Sequence, residues 1–509
     1  MPSESDLPIT TDSSPASSQG SPLPKGKTVS GEEATRLDKT TTAVAEGLRR
    51  DGDGRRVRPA RRDLTTGSIP KNLAHLAWPQ IGEGVLRVLD QLIDLVWAGR
   101  LPGGFRAIAG VGVGQTFTQF GMMARMGLDN ATRAMISRAV GTGNIPLANH
   151  IALQGLTLTA IYSLLMIATG LFLTEVFLRL IGASAAVQAE TAMYMRVQFV
   201  GVAAMSYAHA SAEALQASGE VIIPFKASTV ARVLHIILSP FLIFGWWWFP
   251  DLGLPGAAWA NLIGQLAGGA INFYALFTGK SRLHLTLRGY RVDYPVLGRI
   301  LKIGVPASMT GMERAVAQLV LLGLAARFGD VALAAYALTR RAEMLTNFGT
   351  MGLGKASGIL VGQNLGARRP DRARQSVVWG LVYAIAMQLV LGGLLFVFVV
   401  TVVTLFTKEA DVVALASVWF RIQVIASVFL AIHMVFMQSF NTAGDTLAPM
   451  VITLVAVWGV ELPLAWLFSR SLGMGPLGIG YAAIVGMGIR AVFYVPYFFW
   501  GRWLRIKVL

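Results

Sequence analysis

Ile136-Ser-Arg-Ala-Val-Gly-Thr-Gly-Asn-Ile-Pro-Leu-Ala148 returns 225 residues later as Val361-Gly-Gln-Asn-Leu-Gly-Ala-Arg-Arg-Pro-Asp-Arg-Ala373. The same offset pairs Ala109 with Ala334, Arg196 with Arg421, Gln198 with Gln423, Gly219 with Gly444, Glu220 with Asp445 and Pro224 with Pro449. A slightly different offset pairs Pro79 with Pro306. Chance likeness among apolar helices does not hold one register over so long a stretch and through polar connections. The chain is read as a duplication.

Each copy is made of membrane-length segments. The sequence is 54% apolar and 14% charged, too little polar surface to cover a soluble protein of 509 residues. Apolar runs at 151–182, 222–249 and 376–406 each exceed the roughly 20 residues that span a bilayer. Their Gly and Pro residues are tolerable because small residues let membrane helices approach closely. Helices are expected near 73–98, 107–133, 147–182, 191–214, 222–248, 256–278, 298–326, 331–359, 374–406, 413–439, 447–469 and 477–501. An even number of helices per copy makes the repeats parallel. The expected fold is an all-α integral membrane protein with about 12 transmembrane helices in two pseudo-symmetric six-helix bundles, at 66–285 and 286–509.

Residues 1–65 are rich in Ser, Thr, Pro and charge and are expected to form a disordered cytoplasmic tail. They lack the apolar core of a signal peptide, so the first spanning helix is the expected targeting element. The net charge of +16 suggests nucleic acid at first sight. Its distribution points instead to basic cytoplasmic connections, carrying Arg133, Arg138, Lys280, Arg282, Arg288, Arg291, Arg368, Arg369 and Arg372. Both termini are then expected on the cytoplasmic side of the cell (inner or plasma) membrane. The cluster from Arg49 to Arg62 reads as an anchor at an anionic leaflet. No cysteine is present, so no disulfide or thiolate metal site arises.

The first helix carries the strongest chemical signal. Glu83, Arg87, Asp90 and Asp94 are spaced 4, 3 and 4 apart and share one face with Pro79. Each costs roughly 2.5–3.5 kcal/mol at the centre of a spanning helix, so each is expected to face a partner or a wet cavity. An internal ion-pair ladder around Arg87 is the purely structural alternative. Asp94 lies a turn beyond Arg87's reach, and a carboxylate in such a place suits a proton carrier. Gln91 lies beside this face.

Several segments together resemble the multidrug and toxic compound extrusion (MATE) transporters of prokaryotes. They are Pro79 through Ile93-Asp-Leu-Val-Trp-Ala-Gly99, Val361-Gly-Gln-Asn-Leu-Gly-Ala367, Ala214-Leu-Gln-Ala-Ser-Gly-Glu220, Leu238-Ser-Pro-Phe-Leu-Ile-Phe-Gly245 and Gly256-Ala-Ala-Trp-Ala260. The resemblance covers about residues 64–500. It implies alternating access by a V-shaped pair of six-helix bundles, and export of amphipathic, often cationic compounds in exchange for protons or sodium. Asp94 falls on the family's first-helix carboxylate. The fifth-helix pattern Asn-x-x-x-Asp-Pro is replaced by His235-Ile-Ile-Leu-Ser239-Pro240, and a sixth-helix Thr of the family falls at Asn261. Losing an amide and a carboxylate weakens a site for a hard cation such as sodium. Imidazole beside a carboxylate makes a pair that exchanges protons near neutral pH. Proton coupling through Asp94 with His235 as partner is therefore expected, with Asp90, Ser239 and Asn261 around them.

The second half offers Glu313, Arg314, Arg341 and Glu461 as cavity residues or mutual ion pairs, alongside Arg340 and Glu343. His209 and His433 read as packing residues. Gly349-Thr-Met-Gly-Leu-Gly-Lys355-Ala356 nearly matches a phosphate-binding loop, but it lacks the final Ser or Thr and lies in an apolar helix. No nucleotide site, cofactor or metal is expected, and no enzymatic constellation is present. The expected partners are a small amphipathic molecule, H+ or alternatively Na+, and the bilayer, with the chain a monomer. A flippase for lipid-linked sugars, which usually has more helices and a strongly cationic cavity, is the competing transport reading. A membrane receptor is the competing class.

Overall fold

Only helices occur among the described residues, which in this computed structural model are 63–100, 104–180 and 185–509. The expected tail lies almost wholly outside them. The twelve long helices among them are α1 Ile69–Gly99, α2 Gly104–Gly141, α3 Ile145–Leu180, α4 Ala185–Ala217, α5 Ile222–Phe244 and α6 Leu254–Phe277 in the first half. The second half has α7 Tyr294–Ala326, α8 Asp330–Gly366, α9 Pro370–Val397, α10 Ala410–Ala443, α11 Leu447–Ser471 and α12 Leu477–Trp500. Seven helices or helical stretches are long and apolar enough to cross a membrane by length and composition alone. The other helices include α1, α2 and α8, whose ionisable side chains find charged partners on α4 and α5 inside the protein.

The repeated motif is not a loop, as its polar content suggested. Its first half is the last turns of α2 and α8, and only a tight turn follows each. Asn144 N–H donates to Ala139 O at 3.0 Å, and Arg369 N–H donates to Asn364 O at 2.8 Å, closing the same turn twice. The left-handed residue of that turn is Gly143 (φ +79°) in one copy and Arg368 (φ +58°) in the other. Arg133 and Arg138, expected in a connection, therefore belong to α2, and Arg133 is 1% exposed.

Two cores at this end of the molecule are each shared between the halves. Leu73, Leu76 and Ala77 of α1 pack with residues of α8, α9, α10 and α12. Val296, Leu297 and Ile300 of α7 pack with residues of α2, α3 and α4. Each half thus lends the start of its first helix to the other half's core. The backbones meet where glycines allow it. A Cβ on Gly127 of α2 would lie 2.0 Å from Gly304 O of α7, and one on Gly352 of α8 would lie 3.1 Å from Ile81 N of α1. Gly127 and Gly352 hold the same place in the two repeats.

Beyond α9, a short helix Val399–Thr404 continues the chain after a break at Phe398. Helix α11 widens to π-type turns at Val457–Glu461 and Leu467–Ser471, on either side of Leu462-Pro463. The proline lacks the N–H that a regular turn would use, so the ladder shifts register around it.

Candidate functional site

The α1 face turns toward α5 once it has left the opposite core. Asp90 is 3% exposed and takes two partners from α5: His235 Nδ1 at 2.6 Å from its Oδ1, and the Arg232 guanidinium on its Oδ2. Arg232 and His235 are three residues apart and so share a helix face. Charge-assisted bonds to both carboxylate oxygens fix Asp90 where a lone buried carboxylate would be costly. Ser239, one turn beyond, donates its hydroxyl to His235 O at 2.7 Å. Pro240 follows it, so the hydroxyl lies beside a turn that already lacks one backbone donor. A Cβ on Gly264 of α6 would lie 3.4 Å from His235 Cβ, so α6 packs closely against this stretch of α5.

Below this triad lies a cavity with about 40 Å³ of room for water, lined by Glu83, Arg87, His209, Arg232, Gln265 and Asn272 among others. A single water needs about 10–15 Å³ by the same measure, so two or three fit. Arg87 Nε is buried and has no hydrogen-bond partner among the described residues, which a water in this cavity would supply. Glu83 Oε1 accepts from Gln216 Nε2 of α4 at 3.5 Å. Asn261 sits on α6, where its Oδ1 accepts from Gln265 Nε2 at 3.4 Å. Asp94 and Gln91 belong to α1, but their side chains lie outside the described residues, as does the Asp94–His235 distance. The partner seen on His235 is Asp90. Among the described residues no three His, Asp or Glu side chains converge as a metal site.

In the second half, Glu461 of α11 pairs with Arg490 of α12 at 2.7 Å, both nearly buried. Glu343 of α8 pairs with Arg340 and lies 3.9 Å from Arg314 of α7. Glu313 is buried beside them, whereas Arg341 is exposed. His433 packs its ring against Tyr494, with centroids 5.5 Å apart. Sequence reasoning named Arg314 and Glu461 without finding Arg490, since α12 carries no motif around it.

A third cluster, also missed, lies where the halves meet. Glu213 of α4 is 4% exposed and accepts from Arg133 Nε at 2.7 Å and from Lys355 Nζ. Arg133 also donates to Gln438 Oε1 of α10 at 3.2 Å. One turn along α2, Arg125 and Asp129 pair at 2.5 Å. Lys355 was legible only as part of a rejected phosphate loop. The available signal was the repeat itself, because Glu213 and Gln438 occupy equivalent positions, as do Asn130 and Lys355.

With this geometry in view, the likeness to known proteins is informative. The MatE family model matches the chain twice, over residues 79–241 and 306–467. The chain is 26% identical over 446 residues to a probable multidrug resistance protein, YoeA, of Bacillus subtilis, covering 86% of this chain and 95% of that one. It is 26% identical over 418 residues to a FAD transporter of Shewanella oneidensis, covering 80% and 90%. Among solved structures, an outward-facing multidrug resistance MATE transporter superimposes with a TM-score of 0.79 at 21% identity, over 86% of this chain and 96% of that one.

Proposed function

The chain belongs to the MatE family, whose members are membrane transporters rather than enzymes, and we propose that it is a secondary active exporter exchanging amphipathic, often cationic molecules for protons. Efflux of drug-like compounds is supported by relatives named as multidrug resistance proteins. The relative named as a FAD transporter keeps the substrate range wider than cations.

Proton coupling rests on one observation: Asp90 bonded by His235 and Arg232 at the edge of a water-sized cavity in the first half. Imidazole is the side chain whose charge changes most readily near neutral pH. In the exchange we infer, a proton arriving through the cavity is shared by the Asp90–His235 pair and by Asp94 on the same helix face. Taking it up weakens the hold of Asp90 on α5 and lets α1 shift. Substrate entry and proton release then alternate as the two halves rock about their shared end. Ser239 and Asn261 supply hydroxyl and amide groups to the same region, but not the carboxylate that a sodium site would add. Both termini are assigned to the cytoplasm and the protein acts as a monomer in this reading.

The test uses purified protein in liposomes with an imposed pH gradient and a fluorescent amphipathic cation. Substrate-dependent collapse of the gradient is expected, with loss of it in Asp90→Asn and Asp94→Asn. Substrate movement driven equally by a sodium gradient at constant pH would replace protons by sodium. Movement of a lipid-linked sugar but of no soluble cation would favour the flippase.

A further inference from the structure

The face of the molecule where α2 and α8 end is sealed by contacts that obey the repeat. Ser137 faces Gly362, its own repeat equivalent: a Cβ on Gly362 would lie 2.0 Å from Ser137 Oγ. Around this point the contacts come in exchanged pairs. Gly141 packs on Gln363 O while Gly366, its equivalent, packs on Arg138 O. Arg138 Nη2 donates to Ala443 O at the end of α10, and its equivalent Gln363 Nε2 donates to Ala217 O at the end of α4, one residue before the exact counterpart Ser218. Such reciprocity is the signature of an interface about a two-fold axis, here within one chain.

Glu213, Arg133, Lys355 and Gln438 lie within a few turns of this point, toward the same end of their helices. They break the symmetry in charge inside the buried interface. The equivalent of Glu213 is the neutral Gln438, and the equivalent of Lys355 is the neutral Asn130, whose buried amide has no hydrogen-bond partner among the described residues. Three ionised groups, two cationic and one anionic, are thus enclosed between the halves. Arg133 and Glu213 belong to the same half and can stay together when the halves part. Lys355 cannot: its bond to Glu213 crosses the interface.

We propose that the Lys355–Glu213 bond is the latch that holds this face shut, and that Glu213, Lys355 and Arg133 are positioning residues whose separation admits substrate from this side. The proposal rests on the transporter reading, and it locates the contact that decides which face is open. Without that bond the closed arrangement loses an ion pair between the halves, and parting the halves rehydrates the charges left behind. An added carboxylate at position 438 does the reverse, because Arg133 already donates to Gln438 across the interface and gains an ion pair there.

The chain has no cysteine, so a single Ser137→Cys reports opening without further changes. Its rate of labelling by a membrane-impermeant maleimide, applied in oriented vesicles to the side bearing the α2–α3 turn, is the measurement. Lys355→Met is expected to raise that rate at least tenfold, Lys355→Arg to return it to within about threefold of the parent, and Gln438→Glu to slow it. Lys355→Met at the parent rate, or Gln438→Glu labelling faster than the parent, overturns the latch. So does a faster rate that Lys355→Arg does not restore, which marks loosened packing instead. Labelling needs no substrate, so a latch that behaves as expected in a protein that moves no proton would leave this inference standing and remove the proton-exchange reading.

Discussion

Ser137 and Gly362 stand opposite each other across the interface between the halves and occupy the same position in the two copies of the repeat. A duplicated chain places one residue beside its own equivalent only at the pseudo-two-fold axis. The axis therefore passes between α2 and α8, and the small residues shared by the two copies, such as Gly141 and Gly366, follow from it.

Packing at the axis sets the first expectation. A methyl group on Gly362 would overlap Ser137 Oγ and also lie 2.8 Å from Ser137 Cβ, so trimming the serine does not make room. Gly362→Ala should destabilise the protein by about 1–3 kcal/mol, the range for an overpacked core. Gly393→Ala, in an α9 position with no atom within reach of the new methyl, should be neutral or slightly stabilising. Thermal unfolding in detergent compares the two directly.

How much of this was readable beforehand follows from the same axis. The duplication, the helix number and the α1 polar face were legible because period and offset survive in a single sequence. The clusters were only half legible. Asp90 and His235 stood out as ionisable residues in apolar helices, but their pairing depends on how α1 crosses α5. Glu213, Arg133 and Lys355 were hidden because each looks like a helix-end or loop charge until the halves are brought together.

The coupling pair should leave a mark on pH dependence. Asp90→Asn is expected to lower proton-driven transport at least tenfold, because the amide cannot take up the exchanged proton. His235→Asn restores the residue type of the family pattern and should keep measurable transport. It should lose the part of the pH dependence that the imidazole contributes. Initial rates in liposomes over pH 5–9 are the check; an unchanged profile removes His235 from coupling.

The ion pair of Glu461 with Arg490 offers a contrast between breaking a pair and deleting it. Arg490→Leu alone leaves a buried carboxylate on a π-type turn and is expected to cost about 3–5 kcal/mol, or to prevent folding. The double variant Glu461→Met with Arg490→Leu should recover most of that loss. Yield and unfolding temperature of the two variants decide it, and a double variant no better than the single shows that the pair is not the source of the cost.

Outside the membrane, Asp293 caps α7. Its carboxylate accepts from His150 Nε2 at 2.9 Å and from Val296 N–H at 3.2 Å. The His150 hydrogen bond first, then the cap, hold its pKa below the ordinary carboxylate value. A depressed pKa gives stability that is present above the unfolded value of about 4 and is lost as pH falls through the folded value. The melting temperature of wild type should exceed that of Asp293→Ala from pH 8 down to about 4, and the gap should close below that.

The turn that closes the repeated motif provides the last test, through its one departure from symmetry. Gly143 and Arg368 occupy the same left-handed position, and only the arginine carries a Cβ there. That conformation costs a non-glycine residue about 1–2 kcal/mol, partly offset by the greater freedom glycine has in the unfolded chain. The Arg368 side chain is exposed and makes no hydrogen bond or ion pair among the described residues, and its backbone N–H bond to Leu365 O is kept by glycine, so little else is lost with it. Arg368→Gly should therefore stabilise the protein by up to about 1 kcal/mol, read as a higher unfolding temperature. Gly143→Arg should cost at least as much. Should Arg368→Gly destabilise instead, the guanidinium is holding something at the basic face, and anionic lipid headgroups are the first partner to try.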